Sequence, residues 1–474
     1  MTEALRIRGL SDEENGILNR LLEQLEQKST RNLLRSSYYD GKRAVQQVGT
    51  VIPPQYQNIG LALGWAAKGV DGLARRCNLE RMVWAGGDLD SLGMDDLADG
   101  NFLFSEIDQS ETDSLLHGVS YLITTAGNVS AGEPKALIHA KDALNATGDW
   151  NARTRKLDNL LSVTKRDDGR ITGFVLYLNN LTISAEKGPN NAWAIDRFPH
   201  SWGVPVEPMP YSARSSRRMG HSRISRPVMG YQDAALRALI RLEAHMDIYT
   251  IPKMILLGAS EAVFKNADGS PKASWQVALG RVFGVPDYYD ATNPRADVKQ
   301  FAAESPAPHL AQLNALAKLM ARETDLPDGE FAMTDMANPT SAEAIERGDE
   351  PLIYAAEDAT RSWSVPIRRT VTRALAIQNG LSAVPDTWSG IKADWRKPRY
   401  QSKSAAADAG AKQIATIPWL AETEVGLEIL GLDAQQIERA MAQKAAAERR
   451  ASGRAVIAAL TPAAPVVAAD AVSA

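Results

Sequence analysis

Two charge clusters and two isolated side chains are the features of this 474-residue chain whose types could do chemistry. Arg214, Arg217, Arg218, Arg223 and Arg226 fall within thirteen residues, with His221 among them. Guanidinium groups at that density could dock an anionic partner or seat a neighbouring subunit, or they could simply stay solvated on a loop. Residues 325–350 carry the opposite sign: Asp325, Asp328, Glu330, Asp335, Glu343, Glu346, Asp349 and Glu350 face one base, Arg347. Such a run could hold a divalent metal. The spacing is not that of a calcium loop, however, and no glutamate closes one. A solvated acidic face, of which an acidic channel wall is a special case, is the other reading. Cys77 is the only cysteine, which excludes an internal disulfide and any zinc site built on two cysteines. It follows Arg75-Arg76 and reads as a half-buried structural thiol, with a nucleophile as the alternative. His117, in Leu115-Leu116-His117-Gly118, reads as a core or interface histidine rather than a ligand.

The spacings that catalysis requires are missing. The chain has no GxxxxGK[ST] phosphate loop, no GxSxG elbow and no HExxH pair. Gly280-Arg281-Val282-Phe283-Gly284 lacks the GxGxxG spacing and the preceding strand of a dinucleotide site. These absences point away from an enzyme and imply no cofactor and no metal. A formal net charge of -4 argues against a domain that grips nucleic acid tightly, but not against a surface that DNA slides past. Met1 to Leu10 has charges and no apolar core, so it does not read as a signal peptide. No apolar run of about 18 residues is present.

These residues must be positioned by helices and strands in an α+β arrangement. Ser11 and Glu14 form a capping box that opens a helix over 11–36. Pro53-Pro54 predicts a second helical stretch running to about Cys77, and Ser105 to about Ile123 predicts a third. The period then shortens: 136–140, 160–165, 171–178, 181–185 and 192–197 predict an antiparallel meander. Turns are expected at Asp167-Asp168-Gly169 and Asn179-Asn180. A long helix follows over 225–250, about 35 Å in length. Next come a strand at 254–258, a short helix near 274–283, a strand at 298–302 and a helix over 308–323. Pro327, Gly329 and Pro339 predict a loop. Thr340 then caps a long helix to about Gln378, with Pro351 and Pro366 as possible breaks. Residues 402–450 are helical and Ala-rich, and the low-complexity tail from Ala451 reads as disordered.

Gly220-His221-Ser222-Arg223-Ile224-Ser225 before a long helix, then Ile251-Pro252-Lys253 and the strand ending at Gly258, resembles the portal proteins of tailed bacteriophages, in their long-tailed siphophage branch. Thr340-Ser341-Ala342-Glu343-Ala344-Ile345 fits the opening of that family's kinked helix. Asp394-Trp395-Arg396-Lys397-Pro398, Ser402–Ala411 and Glu428-Ile429-Leu430-Gly431-Leu432 fit its later segments. The resemblance runs over residues 10–445. It rests on the order of these motifs, since each alone is weak, and the basic loop at 211–226 departs from it.

The resemblance implies a portal-type subunit with the following division: 1–210 a wing, 211–251 a basic loop and first stem helix, 252–304 a small α/β clip, 305–324 a second stem helix, 325–339 a tunnel loop, 340–400 a kinked helix and wing return, 401–450 a helical crown, and 451–474 a disordered tail. It implies a structural role at one capsid vertex of the virion: a ring of about twelve copies, closed by a head-to-tail contact, that passes double-stranded DNA without sequence preference. Assembly in the host cytoplasm and partnership with the major capsid protein, scaffold, terminase large subunit and head-tail adaptor follow from it. Asp325, Asp328, Glu330, Phe331 and Asp335 are then the channel candidates. Leu236, Leu239, Ile240, Arg217 and Arg218 are ring-interface candidates, and Trp275, Tyr288 and Tyr289 are candidates for contact with terminase or adaptor. A different head-tail connector or minor capsid protein, a cellular helical scaffold and a metal-dependent hydrolase are the alternatives.

Overall fold

A computed structural model describes residues 5–43, 60–249, 253–257, 265–266, 268–271, 297–301, 304–331, 342–399 and 403–460. The chain divides into two units, Met1–Pro398 and Arg399–Ala474.

The first unit opens with α1 (Asp12–Tyr39), and both halves of the predicted capping box are made: Glu14 N donates to Ser11 Oγ, and Ser11 N donates to Glu14 Oε2. Arg197 clasps the same Glu14 carboxylate, with both nitrogens at 2.7 Å. A five-stranded antiparallel meander runs β4 (Ala146–Asn151), β5 (Lys156–Asp167), β6 (Arg170–Leu178), β7 (Leu181–Lys187), β8 (Trp193–Pro199). Consecutive residues on its strands point to opposite faces. Leu161, Leu176 and Ile183 pack with Leu18 and Leu21 of α1. Their neighbours Leu160 and Tyr177 pack with Tyr121, Ile123 and Val206 of a second sheet. Both faces are covered, so the inner strands read as apolar runs rather than alternations. The second sheet has the order β3 (Ala136–Asp142), β2 (Val119–Ala126), β9 (Val206–Pro210).

The main core lies between α2 (Trp65–Ala74), α3 (Met94–Asn101), α4 (Leu103–His117) and a long helix, numbered α7 here, over Ala342–Gln378. Its largest fully buried side chain is Trp363, whose Nε1 donates to the carbonyl of Pro210 at 3.2 Å. A pair of strands, β1 (Leu79–Trp84) and β12 (Ile391–Trp395), closes the core across more than three hundred residues of sequence. Two further helices, α5 (Arg226–Tyr249) and α6 (Ala307–Glu323), pack antiparallel. Ser225 Oγ lies 2.8 Å from Glu323 at one end, and the rings of His245 and His309 are 5.1 Å apart at the other. Beyond that second end, β10 (Lys253–Leu257) pairs antiparallel with β11 (Asp297–Phe301). The second unit holds α8 (Lys403–Thr416), α9 (Glu424–Ile429) and α10 (Ala434–Leu460), with Ile437 buried among them. Among the described residues no helix is long and apolar enough to cross a membrane.

Several expectations change. The third helix stops at His117, because Gly118 takes φ +103° and caps it, and the β-rich run from Val119 continues as a strand. The segment 136–140 is not part of the meander; it pairs with β2, while Ala146–Asn151 supplies the meander's first strand. Residues 60–64 precede the second helix rather than belonging to it. Pro351 and Pro366 do not break α7, which runs through both. The tail expected to be disordered from Ala451 is helical to Leu460, as its alanines favour. The short helix read at 274–283, the start of the stretch at Pro53-Pro54 and the cap at Thr340 lie outside the described residues.

Candidate functional site

The segment Gly220 to Ser225 joins the sheets to α5, and each of its residues has a structural task. Gly220 sits at φ +64°, and a Cβ there would overlap the carbonyl oxygens of Tyr211 and Gly118. The chain crosses itself at this point: Tyr211 N donates to Gly118 O, and His221 N donates to Tyr211 O, both at 2.9 Å. Ser222 Oγ donates to Leu116 O at 2.5 Å and accepts from Ile224 N at 2.9 Å. Ile224 enters the main core. Ser225 Oγ accepts from Val228 N at 3.3 Å, capping α5, while reaching Glu323 at the end of α6.

Arg223 stands apart from the arginines around it. Its side chain is buried. Nε donates to Gly69 O at 2.6 Å, one terminal nitrogen donates to Tyr211 Oη at 3.0 Å and the other to Thr324 O. One guanidinium therefore ties α2, the crossing loop and the last carbonyls of α6. Burying a cation in this way is tolerable only because its donors are met.

Beyond Thr324 the chain enters the acidic run. Asp325 takes φ +53°. Burial raises its carboxyl above the ordinary range, Arg223 beside it opposes that, and Glu323 adds to it. Leu326 is buried against Gly72, and Thr324 Cγ2 would lie 3.0 Å from a Cβ on Gly69. Asp328 is exposed. Glu330 is paired with Lys68 at 2.7 Å, and Phe331 meets Trp65 edge-on at 5.8 Å. On the far side of the run, Asp349 of α7 pairs with Arg76 at 3.0 Å. Trp65, Lys68, Gly69 and Gly72 recur at helical spacing along one face of α2, with Arg76 a turn further on. That face holds both ends of the stretch between Phe331 and Asp349, whose last part is the start of α7. A cleft of about 460 Å³ lies between α2 and these two ends, lined by Lys68, Asp71, Arg75, Arg76, Glu330 and Asp349 among others.

The sequence-derived candidates thus separate. Asp325, Asp328, Glu330 and Phe331 are brought to one place, where Glu330 and Phe331 are engaged by α2. Asp335, Trp275, Tyr288 and Tyr289 lie outside the described residues. Leu236 and Ile240 are buried within the single chain where α5 packs, and Leu239 is half-buried. Arg217 is half-buried and Arg218 exposed. His117 is a core histidine: Nε2 lies 3.0 Å from Ser36 Oγ, and burial lowers its pKa to about 4, with Arg35 assisting and Asp142 opposing. Cys77 is more deeply buried than expected, and that burial pushes its thiol well up. Among the described residues no group of three or more His, Cys, Asp or Glu is placed to hold a metal ion. Sequence reasoning missed the α2 face and the separate role of Arg223. The only signal for the latter was the apolar Ile224 beside it.

Residues 18–450 match the family described as Phage portal protein, SPP1 Gp6-like. The portal proteins of Mycobacterium phages D29 and L5 are 25% and 24% identical over 385 and 388 residues, 80% of this chain and 77% of each relative. Among solved structures, a chain in the neck of a native gene transfer agent particle computed with C12 symmetry aligns over 81% of this chain and 94% of its own, at 14% identity and a TM-score of 0.40. A chain of the virion of the native gene transfer agent particle aligns over 75% and 85%, at 14% identity and a TM-score of 0.38. The assignment rests on the sequence match, which covers nearly the whole chain: this protein belongs to the SPP1 Gp6-like family of phage portal proteins, a structural component of the virion head rather than an enzyme.

Proposed function

We infer that the chain is the repeating subunit of a closed ring of about twelve copies, joined head to tail. In this reading residues 1–210 form the wing, and α5 and α6 the stem at 211–251 and 305–324. The region 252–304, with the β10–β11 ladder, is the clip on which terminase large subunit and then the head-tail adaptor dock. Trp275, Tyr288 and Tyr289 remain the proposed contacts there. The unit from Arg399 supplies the crown at 401–450. Major capsid protein and scaffold meet the ring during assembly in the host cytoplasm.

The observation that carries the channel assignment is the α2 face. Lys68 and Trp65 hold the chain at Glu330 and Phe331, and Arg76 holds it again at Asp349. The segment between is tethered at both ends beside the foot of the antiparallel helix pair, which suits a loop that projects into the lumen. DNA carries a phosphate charge about every 1.7 Å of duplex axis. Carboxylates at Asp325, Asp328 and Asp335 repel that charge, so the duplex passes without being held.

Position tests this reading. The only native thiol, Cys77, is buried, so an Asp328→Cys chain takes a maleimide-gold label at one site. In end-on electron micrographs of assembled rings the label is expected inside the central hole. Gold at the outer rim would remove the loop from the channel.

A further inference from the structure

The wing carries two surfaces of opposite charge at opposite ends of one helix. From Met82 to Pro134 the sequence has ten carboxylates and no lysine or arginine. Asp88, Asp95, Asp96 and Asp99 of this stretch are exposed and make no ion pair among the described residues. Asp99 lines one groove with Phe102, Asp95 and Asp96 stand in the first turn of α3 and Asp88 precedes it; at the junction of α3 and α4 Phe102 is 77% exposed and Phe104 37%. Phe102 also takes φ +49°, a left-handed conformation that is unfavourable for a bulky side chain. A groove of about 380 Å³ lies beside it, lined by Ala98, Asp99, Phe102, Leu103, Phe104 and Ser105. A strained backbone that holds a large aromatic ring in water is costly twice over in the isolated chain. A partner covering Phe102 would relieve the second cost.

The other end of α4 gathers arginines, with the partly buried carboxyls of Asp113 and Asp142 also nearby. Arg35 is buried there and donates to His117 O at 3.0 Å, while its Nε has no partner. Arg31 lies one turn earlier on the same face of α1. Arg214 and Arg217, bonded to each other through their backbones, complete the group on the loop that returns to His221 beside Gly118. Arg31 and Arg214 each depress the proton affinity of Arg217, after burial, which places the three within each other's field. None of Arg31, Arg35, Arg214, Arg217 or Arg218 makes an ion pair among the described residues. Leu33 and Leu34 are exposed next to Arg31, at 56% and 36%. A helix of the length of α4 spans about 22 Å, more than twice the Debye length of about 8 Å at physiological salt. The two patches therefore do not neutralise each other within one chain.

We propose that the acidic corner carrying Phe102 and Phe104 docks onto the Arg31, Leu34, Arg214 and Arg217 patch of the next copy around the ring. This rests on the ring reading above and names its contact. Two unlike patches at the two ends of one helix make a head-to-tail interface, the kind that closes a ring rather than pairing two copies. Each side offers exposed apolar side chains on elements that carry one sign of charge, and the two signs are complementary.

Charge swapping in the full-length chain, read by particle mass, tests the proposal. Arg31→Glu/Arg214→Glu/Arg217→Glu is expected to raise the concentration needed for rings by about tenfold or more. Asp95→Arg/Asp96→Arg/Asp99→Arg should do the same. Mixing the two variants lets alternating copies pair altered corner with altered patch and unaltered corner with unaltered patch, and combining both sets in one chain also makes every contact complementary; both should restore rings. Separately, a Phe102→Cys chain mixed with a Leu34→Cys chain should give an oxidised dimer that neither gives alone. If wild-type rings form, but the reversals leave ring mass unchanged and no mixed dimer appears, the contact is wrong and the ring reading stands. If the arginine reversals abolish binding of duplex DNA or of capsid protein by rings of unchanged mass, the patch serves that partner instead and the proposal fails. If the wild-type chain makes no rings at all, the underlying reading fails with it.

Discussion

The guanidinium of Arg223 donates to the main-chain carbonyl of Thr324, the residue that ends α6, while its Nε is bonded to the carbonyl of Gly69 in α2. One side chain thus fixes where the helix pair leaves the body of the subunit and where the acidic segment begins. The Ser225–Glu323 contact lies beside it, and Tyr38 Oη to Asp233 and Ala66 N to Gln232 tie α5 to the body further along.

Replacing Arg223 by Ala should destabilise the chain by about 2–5 kcal/mol, since it orphans two buried carbonyls and removes the bond to Tyr211. Lysine should not rescue it, because one ammonium cannot span three acceptors in the geometry of a planar fork. Chemical denaturation measures the first effect. Limited proteolysis after Thr324, faster in the variant than in the parent, measures the second. Parental stability in Arg223→Ala would show that the tie is incidental.

Gly220 lies where the backbone crosses Tyr211 and Gly118 with a positive φ. Gly220→Ala should cost about 2 kcal/mol or more, because the strain of the left-handed region adds to an overlap with backbone that cannot move aside. Gly230, on α5 with nothing within 4 Å of an added Cβ, is the control. Alanine there should stabilise slightly, by up to about 1 kcal/mol. Thermal unfolding of the two variants should move in opposite directions, and a shared direction would contradict the crossing.

Asp113 predicts a pH effect. Burial first, and then Asp142, raise its carboxyl from 3.8 to about 7. A carboxyl whose folded value lies above its unfolded one favours the fold while protonated. That stability is complete below about pH 4 and is lost as pH rises through about 7. Asp113→Asn mimics the protonated form, so its advantage over the parent should grow by on the order of 2–3 kcal/mol between pH 5 and pH 8. His117 and His139, both lowered to about 4 chiefly by burial, push stability the other way over part of that range. The comparison of variant with parent cancels them. A difference in melting temperature that stays flat with pH would contradict this assignment.

Local signals were legible in the sequence. The Ser11–Glu14 capping box, the Asp168-Gly169 and Asn179-Asn180 turns and the apolar faces of α5 and α6 are short-range features, and each appears where its residues put it. Gly118 is an equally local stop signal, masked because Leu115, Leu116, Val119 and Leu122 continue a helical spacing across it. What was not legible depends on partners far away in the chain. Leu79–Trp84 becomes a strand because Ile391–Trp395 lies beside it. Gly69 and Gly72 look like weak points of α2 until Thr324 and Leu326 are packed into the space they leave. Arg223 looked like one more member of a basic loop, because nothing in its own segment shows the two carbonyls it serves. The family pattern was readable in the same way as the helices, from the order of segments, whereas the site depended on these distant pairings.

Assembly into a ring with a hole for DNA would fix both the mass and the outline of the particle. Mass measurement of the purified full-length protein, paired with end-on electron micrographs, tests it most directly. One discrete particle of about twelve subunits is expected, each of 51.4 kDa, with a central hole wide enough for a duplex. Particles that remain monomeric at every concentration and salt, and in the presence of scaffold and capsid protein, would contradict it.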